Sequence, residues 1–149
     1  MKTKSKTTIG TLDKIDLPSF GLYDIPCKID TGANTSAIHC HSVKLVEKEG
    51  EQWLSFHLLD PTHSEYNNQK FWTQQFGETI VKSSFGQKVY RYVIRTEVVL
   101  FGETFSADFT LADRENMKYP ILLGKKLLKN RFVVDVAKNN LSFKLKQKS

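Results

Sequence analysis

The residues best suited to chemistry are Asp30, Thr31 and Gly32, which with Ala33 close the apolar run 25–29. A carboxylate delivered at a strand end, beside a glycine that lets backbone approach a ligand, has the parts of a water-activating loop. The same residues also make an ordinary Asx turn, in which Asp caps its own backbone and Gly accepts positive φ. A second segment bears on the choice. Ile121, Leu122 and Leu123 form a short apolar run that ends in Gly124 and leads into 125–130, the one stretch suited to a helical turn or two.

In content and order, these two segments resemble the retropepsin-like aspartic peptidases, whose half-site has an Asp-Thr-Gly-Ala loop and, farther along, aliphatic residues followed by Gly and a short helix. The likeness is closer to a bacterial and archaeal branch labelled putative ATP-dependent zinc protease. It is carried by Lys28-Ile29-Asp30-Thr31-Gly32-Ala33, Thr35-Ser36-Ala37 and His39. Leu111, Asp113-Arg114, Met117, Tyr119-Pro120, Leu122, Gly124, Leu128 and 132–136 extend it through the C-terminal half.

The resemblance implies an all-β fold, a retropepsin-like acid-protease half-barrel with one short helix, and an aspartic peptidase. Asp30 would be the catalytic acid and base, Thr31 would brace the loop, and Gly32 would admit substrate backbone. Ala33, Asn34 and Ser36 would line the cleft. The mechanism uses two carboxylates a few ångströms apart that share one proton. One chain supplies one such aspartate, so the active species is expected to be a homodimer in which Asp30 meets its own copy across a two-fold axis. Two positions depart from the viral relatives: Asn34 stands where Asp often follows Ala, and Lys125 where Arg often follows Gly, so the supporting bidentate ion pair cannot form. The branch is associated with ATP-grasp ligases that add glutamates to proteins. The implied substrate is therefore a peptide or acidic protein, of polyglutamate type, with Arg91, Arg95 and Arg114 available to neutralise its carboxylates.

The zinc and ATP of that label find little support in the residues. His39-Cys40-His41 is the densest donor cluster, and on a strand the two histidines would share a face while Cys40 points away, leaving two ligands where a catalytic zinc wants three. His57 or His63 could complete it only through the fold. Gly124-Lys125-Lys126 lacks the upstream glycine and the hydroxyl residue of a phosphate-cradling loop. No metal and no cofactor are expected.

The elements that must position Asp30 read almost entirely as strands: 8–17, 23–30, 36–41, 43–46, 53–59, 78–84, 89–101 and 103–112. The last shows the cleanest alternation, with Phe105, Ala107, Phe109 and Leu111 against Ser106, Asp108 and Thr110. Residues 62–75 are polar and lack a sustained period, so they are expected to form an exposed excursion able to cover a cleft. Segments 132–137 and 141–145 read as strands about a tight turn at Asn139-Asn140.

A chain of 149 residues with 40% hydrophobic and 11% aromatic content is expected to fold as one domain, with 1–7 a flexible basic N-terminus. The net charge of +6 favours anionic partners. No nucleic-acid motif, secretory leader or membrane span is apparent, and two cysteines are too few for a disulfide framework, so a cytoplasmic location is expected. The competing functional reading is a non-catalytic peptide-binding or adaptor domain that keeps the fold.

Overall fold

The structure is a computed structural model and describes residues 5–82, 86–112 and 118–148. In chain order it contains β1 (Thr7–Ile9), β2 (Leu12–Leu17), a single 3₁₀ turn, β3 (Leu22–Ile29), β4 (Ser36–Lys48), β5 (Glu51–Leu58), β6 (Lys70–Thr73) and β7 (Gly77–Lys82). Then come β8 (Lys88–Leu100), β9 (Glu103–Ala112), β10 (Ile121–Leu123), α1 (Lys125–Leu128), β11 (Phe132–Val134) and α2 (Leu141–Gln147). The fold is mainly β, as the sequence implies.

Period-two patterning explains most of these strands. In β9, Ala107, Phe109 and Leu111 are buried while Ser106 and Asp108 face solvent, and in β8 Ile94, Val98 and Leu100 go inward while Arg95 and Glu97 stay out. The two strands are joined by Phe101 and Gly102, both at positive φ (53° and 72°), and β4 and β5 by Glu49 and Gly50 (54° and 79°). Successive left-handed residues give the hairpin turn whose twist matches the flanking strands.

The strands close on themselves. β10 is parallel to β3 and antiparallel to β4, and the path β10–β3–β2–β8–β9–β4 returns to β10. Closure removes free edges around the site-bearing part of the molecule. It also buries Ile121 and Leu123 completely between two neighbours, as expected of a short apolar strand with parallel pairing. Phe109, Ile15, Ile25, Ile38 and Leu100 fill the interior.

The C-terminal reading needs correction. Segment 132–137 contributes only the short β11, paired in parallel with β1, and 141–145 is helical within α2 rather than a strand. The alternation of Leu141, Phe143 and Leu145 fits a strand's period, and tertiary context overrides it, leaving Leu145 half exposed on the helix. Asn140 does adopt positive φ (58°), but it opens a helix instead of turning a hairpin. The helix is capped from across the chain. Buried Asp13 accepts the Ser142 and Phe143 amides at 3.0 and 3.1 Å and the Lys14 amide at 2.8 Å, and Ser142 Oγ in turn accepts the Phe101 amide at 2.8 Å. A carboxylate at a helix N-terminus satisfies orphan donors and opposes the positive end of the dipole. Lys146 adds bonds to Asp24 and Asp16 at 2.6 and 3.0 Å, which hold its ammonium above the usual lysine range. Thr7, expected to be loose, already bonds Arg131 through its amide at 3.0 Å. Among the described residues no helix is long and apolar enough to cross a membrane.

Removing the Asp13 carboxylate strands several buried amides at once. Asp13→Ala should lower the unfolding free energy by about 2–4 kcal/mol, read by denaturant titration. Amide exchange should accelerate first at residues 142–146.

Candidate active site

The Asp30 loop is built from backbone outward. β3 runs beside β10 with Ile29 opposite Leu123, and the Asp30 amide donates to the Leu123 carbonyl at 2.9 Å. The carboxylate then folds over its own loop: Asp30 Oδ1 accepts the Gly32 amide at 3.0 Å, and the Ala33 amide reaches the Asp30 carbonyl at 3.2 Å. The Asx turn and the candidate site are thus one structure. The turn fixes one carboxylate oxygen, and half-buried Asp30 remains in contact with the cleft.

The second apolar run holds this loop from behind. The first amides of α1, which no helical carbonyl can satisfy, donate to the loop: Lys125 N to Ala33 O at 2.8 Å and Lys126 N to Asn34 O at 3.0 Å. Gly124 N donates to buried Ser36 Oγ at 3.0 Å. Gly124 is needed for close approach, not for φ. A Cβ there would lie 2.7 Å from the Thr35 carbonyl oxygen and 2.9 Å from that of Ala33, contacts backbone cannot yield cheaply. Support of the loop therefore comes from main chain and the Ser36 hydroxyl, so it needs no ion pair between Asn34 and Lys125.

In front of the loop lies a cleft of about 660 Å³. Its floor is Asp30, Gly32, Ala33 and Asn34, and its other wall is Thr79, Ile80, Val81, Lys82 and Arg91 of the β7–β8 hairpin, with Lys126 at the side. This hairpin lines the cleft and no residue of 62–75 does, a correction to the expected position of that excursion. Residues 70–73 of the expected excursion pair with β5 as β6, with Phe71 opposite Phe56, and Tyr66 shares a 2.9 Å hydrogen bond with His41 Nε2. The stretch is exposed or half-buried, as its polar composition suggests, with Tyr66 and His63 turned toward the histidines of β4. Another hollow, of about 500 Å³ near Phe105 and Arg131, contains no part of the Asp30 loop.

The remaining site residues fall as follows. Ala33, Asn34 and Arg91 line the cleft with Asp30 and Gly32. Thr31 is exposed at the loop's apex. Ser36 does not line the cleft. It is buried beneath the loop, with Oγ on Gly124 and its carbonyl accepting Thr110 Oγ1 at 3.3 Å, so it positions the loop instead of touching substrate. Arg95 is paired with Asp108 at 3.1 Å on the outer face of β8 and does not reach the cleft. Arg114 and its neighbours Asp113 and Met117 lie outside the described residues. Lys82 and Lys126 are the cationic cleft residues that sequence reasoning missed. Alternation along 78–84 and the proximity of Lys126 to Gly124 were the available signals.

All four histidines of the chain gather elsewhere, on β4, β5 and the turn after β5. His41 stacks on His57, its cross-strand neighbour, with centroids 4.8 Å apart. Burial first, then His41 and Lys70, lowers the His57 pKa below the ordinary imidazole value. His39 turns to Asp60, Nε2 to Oδ2 at 2.5 Å, with His63 Nε2 3.9 Å from the same oxygen. Asp60 is held down to about 2, chiefly by the Thr62 hydroxyl and also by the Thr62 amide and His39. His39 and His41, which the sequence offers as only two ligands on one strand, each join a different cluster, and His39 gains ligand-type neighbours through the fold.

Comparison with known proteins places this geometry. A family profile described as RimB-like, retropepsin-like aspartic endopeptidase RimB, matches residues 8–144. Proteins named probable α-L-glutamate ligase from Shewanella pealeana and Shewanella halifaxensis are each 33% identical over 135 residues, which is 88% of this chain and 29% of theirs. One of the same name from Desulfotalea psychrophila is 29% identical over 133 residues. The chain thus spans less than a third of the length of these curated relatives. Among solved structures, a DUF785 protein of unknown function from Legionella pneumophila superposes with a TM-score of 0.73 at 22% identity, covering 93% of this chain and 99% of its own. That likeness speaks to the fold alone.

Because a Cβ at residue 124 collides with two loop carbonyls, Gly124→Ala should force β10 and α1 away from the Asp30 loop. We expect a stability loss of about 1–3 kcal/mol together with chemical-shift changes centred on 30–36, seen by amide NMR. The substitution Gly77→Ala, with no heavy atom within 4 Å of the added carbon, should cause neither.

Proposed function

Because the chain belongs to the RimB-like family of retropepsin-like aspartic endopeptidases, we propose that two copies pair through their Asp30 loops and hydrolyse peptide or isopeptide bonds in glutamate-rich chains. The observation that carries the reading is the composition of the cleft: one carboxylate at its floor, Asp30, surrounded by Lys82, Arg91 and Lys126. Paired copies would bring two carboxylates together in a groove whose walls are positive. Such walls raise the local concentration of an acidic chain and orient its side chains through charge-assisted hydrogen bonds.

In this mechanism the two aspartates share one proton and titrate as a unit. The ionised one takes a proton from water as it attacks the scissile carbonyl, and the protonated one donates to the carbonyl oxygen. Return of a proton to the leaving nitrogen then breaks the C–N bond. Exposed Thr31 is suited to hydrogen-bond across the two-fold axis, and the β7–β8 hairpin to close over bound substrate with Ile80. The glutamate preference draws further support from the relatives named probable glutamate ligase, which contain a segment like this chain beside a longer remainder. An enzyme that trims glutamates is a natural companion to one that adds them, and such a ligase system is the proposed partner.

Incubation with an oligoglutamylated peptide and mass analysis of the products tests the reaction. Turnover should survive chelators, because the attacking water is held by carboxylates. Asp30→Asn should reduce kcat by about 10²–10⁴-fold. Mixed with wild type at equal concentration, the mutant should leave only about a quarter of dimers fully wild type. Activity that simply follows wild-type concentration would mean that each chain works alone. Arg91→Gln should raise KM for the acidic peptide about 5–20-fold with a smaller change in kcat. An equal effect on a neutral peptide would remove the acidic-substrate claim, and no cleavage of any peptide would favour the adaptor reading.

A further inference from the structure

We propose that His39, Asp60 and His63 bind one divalent transition-metal ion of the zinc type, which clamps the turn after β5 onto β4. Their donor atoms, two imidazole nitrogens and a carboxylate oxygen, lie within 4.8 Å of one another. Asp60 Oδ2 is the centre of the group, 2.5 Å from His39 Nε2 and 3.9 Å from His63 Nε2. Ligands held at about 2.0–2.2 Å from one tetrahedral ion stand roughly 3–3.5 Å apart. The present arrangement therefore reaches that geometry by opening the first pair and closing the second, with the two imidazole nitrogens, within 4.8 Å of each other, drawn to about the same spacing.

Local structure favours such a site. Asp60 Oδ1 is engaged by the Thr62 amide at 2.7 Å, and the His63 amide bonds the Asp60 carbonyl at 3.0 Å, a turn that brings His63 back toward β4. Oδ2 is left to face the two rings. The His39 and His63 side chains are only 2% and 11% exposed, while Asp60 at 19% keeps one side open to water, the usual fourth ligand. His63 Nε2 is buried with no hydrogen-bond partner among the described residues, a cost that an ion would relieve. Two nitrogens and one oxygen suit Zn²⁺ or Co²⁺ better than Ca²⁺ or Mg²⁺, which take oxygen. None of the three residues lines the Asp30 cleft, so the ion would act on the fold and not on hydrolysis, and the inference stands apart from the peptidase reading.

The test uses the full chain, dialysed against EDTA and titrated with Zn²⁺, Co²⁺ or Mg²⁺. We expect one equivalent of Zn²⁺, a visible Co²⁺ absorption band, and a Tm raised by roughly 5–10 °C once free Zn²⁺ is a hundredfold above Kd; Mg²⁺ should give none of these. His63→Ala should bind at least about tenfold more weakly, whereas His57→Ala, altered in the neighbouring stacked pair, should bind as wild type does. Imidazole NMR of the unmodified chain gives a readout independent of any variant: Zn²⁺ should shift the His39 and His63 rings ahead of His57. Sub-stoichiometric uptake with no rise in Tm at about 0.1 mM Zn²⁺ would overturn the proposal. Undiminished binding by His63→Ala, or loss of binding in His57→Ala, would overturn it as well.

Discussion

The contact on which the rest of the structure depends is the main-chain junction between the Asp30 loop and the Leu123–Lys125 step. The Asp30 amide reaches back to Leu123, the Lys125 and Lys126 amides reach forward to Ala33 and Asn34, and Gly124 passes close to Thr35 because it has no side chain. Every bond in this junction involves backbone or the buried hydroxyl of Ser36. Backbone bonds shielded by neighbouring strands are hard to displace, so the carboxylate is held by a scaffold that needs no charged partner. Barrel closure serves the same end, since β10 can sit between β3 and β4 only if both are fixed by the ring.

This division of labour separates positioning from recognition. The interior β10, Gly124 and Ser36 place Asp30, whereas the residues that would meet substrate lie on the β7–β8 hairpin and at α1, where Lys82, Arg91 and Lys126 project into the cleft. Such an arrangement lets wall charges vary without disturbing the loop. In the proposed mechanism the second carboxylate would come from outside the chain, since the loop carries only Asp30 and its apex, with Thr31, is exposed.

Much of the site was legible because its signals are local. Asp30-Thr31-Gly32-Ala33 after an apolar strand, and Leu122-Leu123-Gly124 before a short helix, are contiguous, and the all-β character followed from alternation such as that in β9. What could not be read depends on distant partners. Asp13 and Ser142 are far apart in sequence, yet their bond turns an apparent strand into α2. Leu141, Phe143 and Leu145 alternate with the period of a strand, so only the distant cap reveals the helix. Ser36 looked like a cleft residue from its closeness to Asp30 in sequence, but β4 turns it under the loop. The stretch 62–75 is exposed or half-buried, as its polarity suggests, but its place was not legible: Tyr66 bonds His41 and Asp60, just before it, bonds His39, which ties it to β4 and away from the cleft. His39 lacked ligands in sequence for the same reason: they arrive with that turn.

The central claim, that Asp30 is half of a shared carboxylate pair, is tested most directly by the stoichiometry of a tight-binding inhibitor. An acidic peptide whose scissile bond is replaced by a non-cleavable hydroxyl-bearing isostere would mimic the tetrahedral intermediate between the two aspartates. Calorimetric titration should give one inhibitor per two chains, with binding lost in Asp30→Asn. One inhibitor per chain, or tight binding that survives that substitution, would contradict the account.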